Sequence, residues 1–157
     1  MYIKKSWIAL FAAIAIVPLL AFTKLRYDNE AKKSEVKKHI LKSYVHGAFN
    51  ELNPQAMAKG FHPEFAIFSP GTTEKLRRYP IDKWVKSVTK RKAKADYDPA
   101  KNKCTPEFAM IDVTSNTASV KLKLYKKGKL VYTDYLSLYK YADGWKIVAK
   151  VYHSHKK

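Results

Sequence analysis

The residue of this sequence best suited to a catalytic or binding role is Asp134, a carboxylate within a strand-like run of apolar and aromatic residues. Strict alternation along a strand places four residues on one face: Tyr132, Asp134, Leu136 and Leu138. If that face covers a pocket, its apolar neighbours raise the pKa of the Asp134 carboxyl, which then suits a general base. The alternative is a structural carboxylate that pairs with a nearby Lys, Tyr or His. A one-residue bulge would turn the set to the opposite face, so the sequence leaves both interpretations open.

Three more side chains are candidates for the same pocket. Tyr44 lies in the apolar stripe of a predicted first helix, where its buried hydroxyl would need a hydrogen-bond partner. His62 follows a predicted second helix and is either a pocket-rim or acid–base residue or a buried histidine bonded to the backbone. Trp84, in a predicted third helix, either covers the pocket or packs in the core. The predicted ligand-binding set is therefore Tyr44, His62, Trp84, Tyr132, Asp134, Leu136 and Leu138.

The chain is strongly basic, with 31 lysines and arginines against 13 acidic residues and a net charge of +18. Such a charge attracts anionic partners and says nothing about the fold. Residues 90–103 lack hydrophobic periodicity and are interpreted as a basic loop, either solvated or in contact with an anionic membrane surface or acidic polymer. Its single aromatic residue is too few for stacking nucleic-acid bases, so no nucleic-acid partner is predicted. The candidates for the anionic surface are Lys90, Arg91, Lys92 and Lys94.

Motifs for several other kinds of chemistry are missing from the sequence. It has no glycine-rich phosphate loop, no serine nucleophile elbow, no Cys-x-x-Cys pair and no His-Glu-x-x-His helix. Cys104 is the only cysteine, which excludes a disulfide within the chain. His153 and His155 lack the third and fourth ligands that a metal site needs nearby. We therefore predict neither a metal nor a cofactor.

The predicted elements place these candidates in one α+β domain. An apolar stripe at helical spacing begins after Ser34, a second helix lies between Asn53 and Gly60, and a third begins at Pro80. Strands are predicted at 65–68 and 74–79 and then, as an antiparallel meander, at 108–114, 118–125, 130–141 and 145–153. Helices followed by a meander favour helices packed on one face of a bent antiparallel sheet.

Residues 131–153 also resemble a known family. The Asp-Tyr-Leu-Ser-Leu run, the Gly-Trp-Lys-Ile-Val run and the closing His153 resemble the C-terminal hairpin of the nuclear-transport-factor-2-like (NTF2-like) superfamily. Within it, they are most similar to the small bacterial domains described as "Putative lumazine-binding". Phe-His-Pro at 61–63 resembles the segment that follows the second helix in these families, and the likeness covers about residues 34–153. It implies a cystatin-like α+β cone, with N-terminal helices on a strongly bent antiparallel sheet.

This fold serves isomerases, polyketide cyclases, dehydratases and non-catalytic modules, so it does not decide the function. The first hypothesis is a domain that binds a small ligand or a protein without catalysis, with a pocket in the concave sheet face; the resemblance suggests a heterocyclic ligand. The second is a proton-transfer enzyme of isomerase, cyclase or dehydratase type, with Asp134 as base and Tyr44 or His62 polarising the substrate. The third is a basic module on an anionic membrane or polymer. A homodimer through the tyrosine-rich outer sheet face is also expected.

The N-terminus predicts export. Lys4 and Lys5 precede an uncharged run from Ser6 to Phe22, which is typical of a signal peptide or a membrane anchor over residues 1–23. Residues 24–33 are interpreted as a tether and residues 34–157 as the NTF2-like domain. The expected location is the bacterial periplasm or the outer face of the inner membrane.

Overall fold

The first helix packs its apolar stripe against the rest of the domain. The computed structural model describes residues 26–72 and 74–155. From residue 26 the chain is helical to Asn50; in this helix, α1, residues 26–40 are α-helical and Leu41–Asn50 is π-helical. The segment interpreted as a tether is thus helical from residue 26, and the predicted signal peptide or anchor lies outside the described residues. In the described part of the chain, every helix is too short or too polar to cross a membrane.

The second helix, α2, spans Pro54–Gly60 and has the predicted boundaries. Asn53 caps it, because its Oδ1 accepts a hydrogen bond from the backbone N–H of Ala56 at 3.0 Å, and Pro54 fits the first helical position. Gly60 is required by packing, since a Cβ atom there would overlap the side chain of Ser43 in α1. The two helices therefore approach closely at this glycine.

The third helix, α3, spans Ile81–Lys92, and a short helix, α4, spans Pro99–Asn102. Ile81, Trp84 and Val88 form the buried stripe of α3, and Val85, which has the same apolar spacing, is half-buried beside them. The prediction that a basic loop begins at Lys90 is wrong, because residues 90–92 form the last turn of α3. Basic side chains are favourable at a helix C-terminus, where they face the negative end of the helix dipole.

The six strands form one curved, open sheet in the order β2-β1-β6-β5-β4-β3. The α+β class is as predicted. All neighbouring strands are antiparallel except β1 and β6, which are parallel and which the chain joins through a long connection that includes α3. The strands are β1 Phe61–Pro70, β2 Leu76–Pro80, β3 Thr105–Thr114, β4 Thr117–Lys126, β5 Lys129–Tyr141 and β6 Gly144–Ser154.

Alternation on the central strands places the core on the face that the helices cover. On β4, the buried residues are Ala118, Val120, Leu122 and Leu124. On β5, Asp134 is buried together with Leu136 and Leu138, while Tyr135 and Tyr139 are exposed on the opposite face. The carboxylate of Asp134 therefore lies on the inner face, among apolar side chains of the core.

Strand β6 departs from simple alternation because it contains a β-bulge. Its pairing with β5 joins Leu138 to Ile147 and Ser137 to Ala149, which leaves Val148 as the extra residue. The inner face therefore carries Ile147 and then Lys150, instead of Ala149. The bulge brings a lysine into the interior of the domain.

Candidate functional site

A buried cluster of three polar side chains lies between α1 and the sheet. We call it the Lys150 cluster; it consists of Lys150 on β6, Asp134 on β5 and Tyr44 on α1. The Lys150 ammonium forms an ion pair with Oδ1 of Asp134 at 2.8 Å and donates a hydrogen bond to the Tyr44 hydroxyl at 2.5 Å. That hydroxyl donates to Oδ2 of Asp134 at 2.6 Å. Both carboxylate oxygens of Asp134 are therefore engaged.

Burial controls the electrostatics of this cluster. Asp134 and Tyr44 have no exposed surface, and Lys150 is 5% exposed. Loss of hydration lowers the pKa of Lys150, and the neighbouring carboxylate of Asp134 opposes that shift. Loss of hydration, reinforced by the Asp134 charge, raises the pKa of Tyr44 well above its ordinary value, so its phenol is protonated at neutral pH. Tyr44 is thus a dependable hydrogen-bond donor to Asp134.

Four aromatic rings surround the Lys150 ammonium. Its nitrogen lies 4.9 Å from the centroid of Tyr44, 5.0 Å from that of Tyr152 and 5.8 Å from those of Trp84 and Tyr132. Rings at these distances attract a cation through their electron-rich faces, by about 0.5–2 kcal/mol each depending on exposure to water. These four rings and Asp134 together stabilise the positive charge of Lys150, which the interior would otherwise disfavour.

Lys150 also lines a cleft at the place where α1 and α3 meet the sheet. The cleft has a volume of about 440 Å³, which lies within the range of about 300–1,000 Å³ typical of small-molecule sites. Its walls are aromatic and cationic, and no acidic side chain of the described residues lines it. The lining residues are Phe49, Ile67, Ser69, Arg77, Tyr79, Trp84, Ser87, Arg91, Tyr132, Lys150 and Tyr152.

The structure brings only part of the predicted ligand-binding set to this cleft. Trp84 and Tyr132 line it, whereas Tyr44 and Asp134 lie behind Lys150. The other three predicted residues are elsewhere. Leu136 and Leu138 belong to the core. His62 stacks on Tyr141 at 5.4 Å, and its Nδ1 accepts a hydrogen bond from the backbone N–H of Glu64 at 3.2 Å.

The predicted anionic-surface set is also divided. Arg91 lines the cleft, and it lies with Lys90 and Lys94 around a shallow depression on the outer side of α3. Lys92 is exposed and lines neither of these two cavities. The roles assigned to these residues stay predictions, because location alone does not test them.

The sequence reasoning missed Lys150, the residue that links the buried cluster to the cleft. It also missed Arg77, Tyr79 and Tyr152, which come from the edge strand β2 and the end of β6. One signal was available, because the apolar run at residues 147–149 interrupts the alternation of β6, as a bulge does. Among the described residues, no group of three or more His, Cys, Asp or Glu side chains could hold a metal ion.

Comparison with protein families identifies the chain. The model of the family described as "Putative lumazine-binding" matches residues 31–153, which include most of α1 and every later element up to β6. The chain belongs to this family. The resemblance stated from the C-terminal hairpin is therefore confirmed, and the family and its fold together suggest a ligand-binding domain.

Solved structures confirm the NTF2-like fold of this lumazine-binding family member. An NTF2-like protein of unknown function from Shewanella baltica matches with a TM-score of 0.58 and 23% identity, covering 75% of this chain and 90% of that one. One from Silicibacter pomeroyi matches with a TM-score of 0.62 and 16% identity, covering 80% and 98%. One from Methylobacillus flagellatus has a TM-score of 0.55 and 24% identity, covering 76% and 89%. No curated protein matches the sequence significantly. At these identities the likeness shows the fold alone.

Proposed function

We propose that this domain binds a small planar ligand in the cleft above the Lys150 cluster and does not transform it. The observation that carries the proposal is the 440 Å³ cleft itself, with rings on its walls and a positioned cation within it. Tyr79, Trp84 and Tyr132 offer flat apolar surfaces against which a conjugated ring system can stack. The family description makes a heterocycle the first class of ligand to examine.

The contacts of Asp134 favour binding over proton transfer. A general base must come within about 2.6–3.2 Å of the proton that it removes, directly or through one water. Asp134 has no exposed surface, and Lys150 and Tyr44 engage both of its oxygens. In this arrangement the carboxylate stabilises the ammonium of Lys150 and orients it beside the ligand.

Thermal denaturation of the purified full-length protein tests the proposal. A ligand that binds only the folded state stabilises it by about 2.7 kcal/mol when present at a hundred times its Kd. We expect a member of a panel of fused-ring heterocycles to raise the Tm of the wild type. Tyr152→Ala should abolish that rise, because this ring lines the cleft. Tyr139→Ala is the matched control, since Tyr139 is comparably exposed but lies on the opposite sheet face.

Two outcomes would contradict the ligand-binding proposal. One is that no compound in the panel raises the Tm. The other is that Tyr152→Ala and Tyr139→Ala reduce the rise equally, because binding would then not occur in the cleft.

A second function is favoured by the outer side of α3. Four lysines there form what we call the α3 cationic stripe: three share one face of α3, the fourth follows the end of the helix, and together they surround a depression of about 400 Å³. We propose that the stripe associates with an anionic membrane surface, where each basic residue contributes about 1 kcal/mol at low salt. Membrane association would agree with the export predicted from residues 1–23. The stripe consists of Lys83, Lys86, Lys90 and Lys94.

Co-sedimentation with vesicles tests the stripe. The full-length protein should pellet with phosphatidylcholine vesicles only when they contain phosphatidylglycerol, and salt should weaken binding as it screens the charges. Replacing Lys83, Lys86 and Lys90 with Gln should reduce binding far more than replacing a matched hairpin trio. Equal losses in the two variants would show that only net charge matters. The control trio, at the β4–β5 turn, is Lys126, Lys127 and Lys129.

A further inference from the structure

The charges that line the cleft indicate the chemical class of its ligand. This inference rests on the proposed small-molecule function. We propose that the ligand is an aromatic acid, with its ring against the aromatic walls and its anionic group on the guanidinium of Arg91, with Arg77 at the rim. The described lining contains three cationic side chains and no carboxylate. A neutral heterocycle would leave the two arginines without a counterion in a site partly shielded from water.

The three cations are not equivalent. Asp134 neutralises Lys150 from behind, at 2.8 Å. Neither Arg77 nor Arg91 has an acidic partner within ion-pair distance among the described residues. The uncompensated positive charge of the cleft therefore belongs to the two arginines, and an anionic group on the ligand would supply what they lack.

Arg91 is held in place for such a contact. One terminal nitrogen of its guanidinium donates a hydrogen bond to the carbonyl oxygen of Ala48 in α1 at 3.0 Å. Its Nε is buried and has no acceptor among the described residues. A guanidinium offers five donors in a fixed plane, an arrangement that matches a carboxylate or phosphate in two parallel hydrogen bonds. The bond to Ala48 reduces the freedom that Arg91 would lose on binding an anion.

Lys150 adds a further donor within the cleft. An ammonium has three N–H groups, and Lys150 contacts two polar partners in the described part of the chain, Asp134 and Tyr44. The third N–H is available to an acceptor on the ligand, such as a ring carbonyl or nitrogen. Arg91 and Lys150 would then fix the two ends of a planar molecule that stacks on Trp84.

The surroundings strengthen the preference for an anion. Ser87 and Arg91 line both the cleft and the depression of the α3 cationic stripe, so the two positive regions are continuous. A positive surface beside a cleft raises the local concentration of anions and accelerates their association. The stripe would therefore attract the ligand, while the arginines and Lys150 would bind it.

Matched probes of different charge test this inference by isothermal titration calorimetry on the full-length protein. Acid and amide pairs of similar shape, such as 2-naphthoate with 2-naphthamide and quinoline-2-carboxylate with its amide, separate charge from ring stacking. We expect each acid that binds to do so at least about tenfold more tightly than its amide, which corresponds to about 1.4 kcal/mol. Arg91→Gln should remove most of this preference, and Arg77→Gln should reduce it without disturbing the bond to Ala48.

Lys92→Gln is the matched control, because Lys92 lies next to Arg91 and carries the same charge but lines neither cavity. The acid preference should survive in this variant. If Lys92→Gln and Arg91→Gln weaken it equally, the preference comes from net charge and the inference is overturned. If acids and amides bind equally and Tyr152→Ala weakens both, the inference fails while the proposed function stands. If no probe of either charge binds, both fail for planar ligands.

Discussion

Removing the Lys150 ammonium should destabilise the domain severely, because it leaves the buried carboxylate of Asp134 without its counterion. At 2.8 Å and an effective dielectric constant of about 20, the direct attraction between the two charges is about 6 kcal/mol, and it is largely offset by the loss of hydration of both groups. The measured cost of breaking such a pair from one side is about 3–5 kcal/mol. We expect Lys150→Met, which keeps much of the side-chain volume, to lower the free energy of unfolding by that amount.

Urea denaturation of the full-length protein measures this cost. With a slope of about 2 kcal/mol per molar urea, the midpoint should fall by roughly 2 M. The control is Lys123→Met, since Lys123 forms an ion pair of the same 2.8 Å length with Glu107 but at the surface. Exposed pairs contribute about 0–1 kcal/mol, so this variant should be nearly as stable as the wild type.

A double-mutant cycle shows whether the two buried charges act as a unit. Asp134→Asn should also be strongly destabilising, because it leaves Lys150 buried without its counterion. The combination of Asp134→Asn with Lys150→Met should cost much less than the sum of the single variants, with an interaction energy of about 1–3 kcal/mol. Additive costs, or a Lys150→Met variant no less stable than Lys123→Met, would refute this account of the cluster.

Three further predictions concern other parts of the domain. Burial lowers the pKa of His39 below its ordinary value of 6.5, so the folded state disfavours protonation of this side chain. The free energy of unfolding should therefore decrease as the pH falls below about 6.5, because the unfolded chain binds the proton more readily. In urea melts, His39→Gln should make this decrease smaller. Gly60→Ala should cost about 1–3 kcal/mol by overpacking against Ser43 in the same assay. If the exposed tyrosine face forms a homodimer, light scattering should show a dimer that Tyr135→Ser combined with Tyr139→Ser converts to a monomer; a monomeric wild type would contradict it.

Local chemistry made much of the fold predictable from the sequence. Asn53 and Pro54 are typical of a helix start, and the structure has the cap that they predict. Alternation on β4 and β5 separated the two faces of each strand, because a side-chain period of two leaves one buried face, and the structure shows that the Asp134 face of β5 is the buried one. The parallel pairing of β1 with β6 was not predicted, since it depends on how distant segments meet rather than on any local signal.

The candidate site was harder to predict, because it draws residues from six elements that meet only in the folded domain. Asp134 was identified from the sequence, but its partner Lys150 was not, because the extra residue Val148 reverses the alternation of β6. Arg91 was assigned to an external loop, and it faces the cleft because α3 continues through Lys92. Both errors concern the direction of a side chain, which depends on one residue of register or one turn of helix.

The bulge at Val148 also bears on how such a site can persist during divergence. Deleting this one residue would leave Ile147, Ala149 and Lys150 opposite the same residues of β5, so the ladder would become regular and Lys150 would still point inward. The cleft would keep its buried cation, and Asp134 its partner, although β6 would be one residue shorter. Within one family, members that gain or lose a single codon at this position can therefore share the same charged cleft, because the bulge absorbs the change in length. An alignment that places its gap at the bulge keeps Lys150 in register across such members.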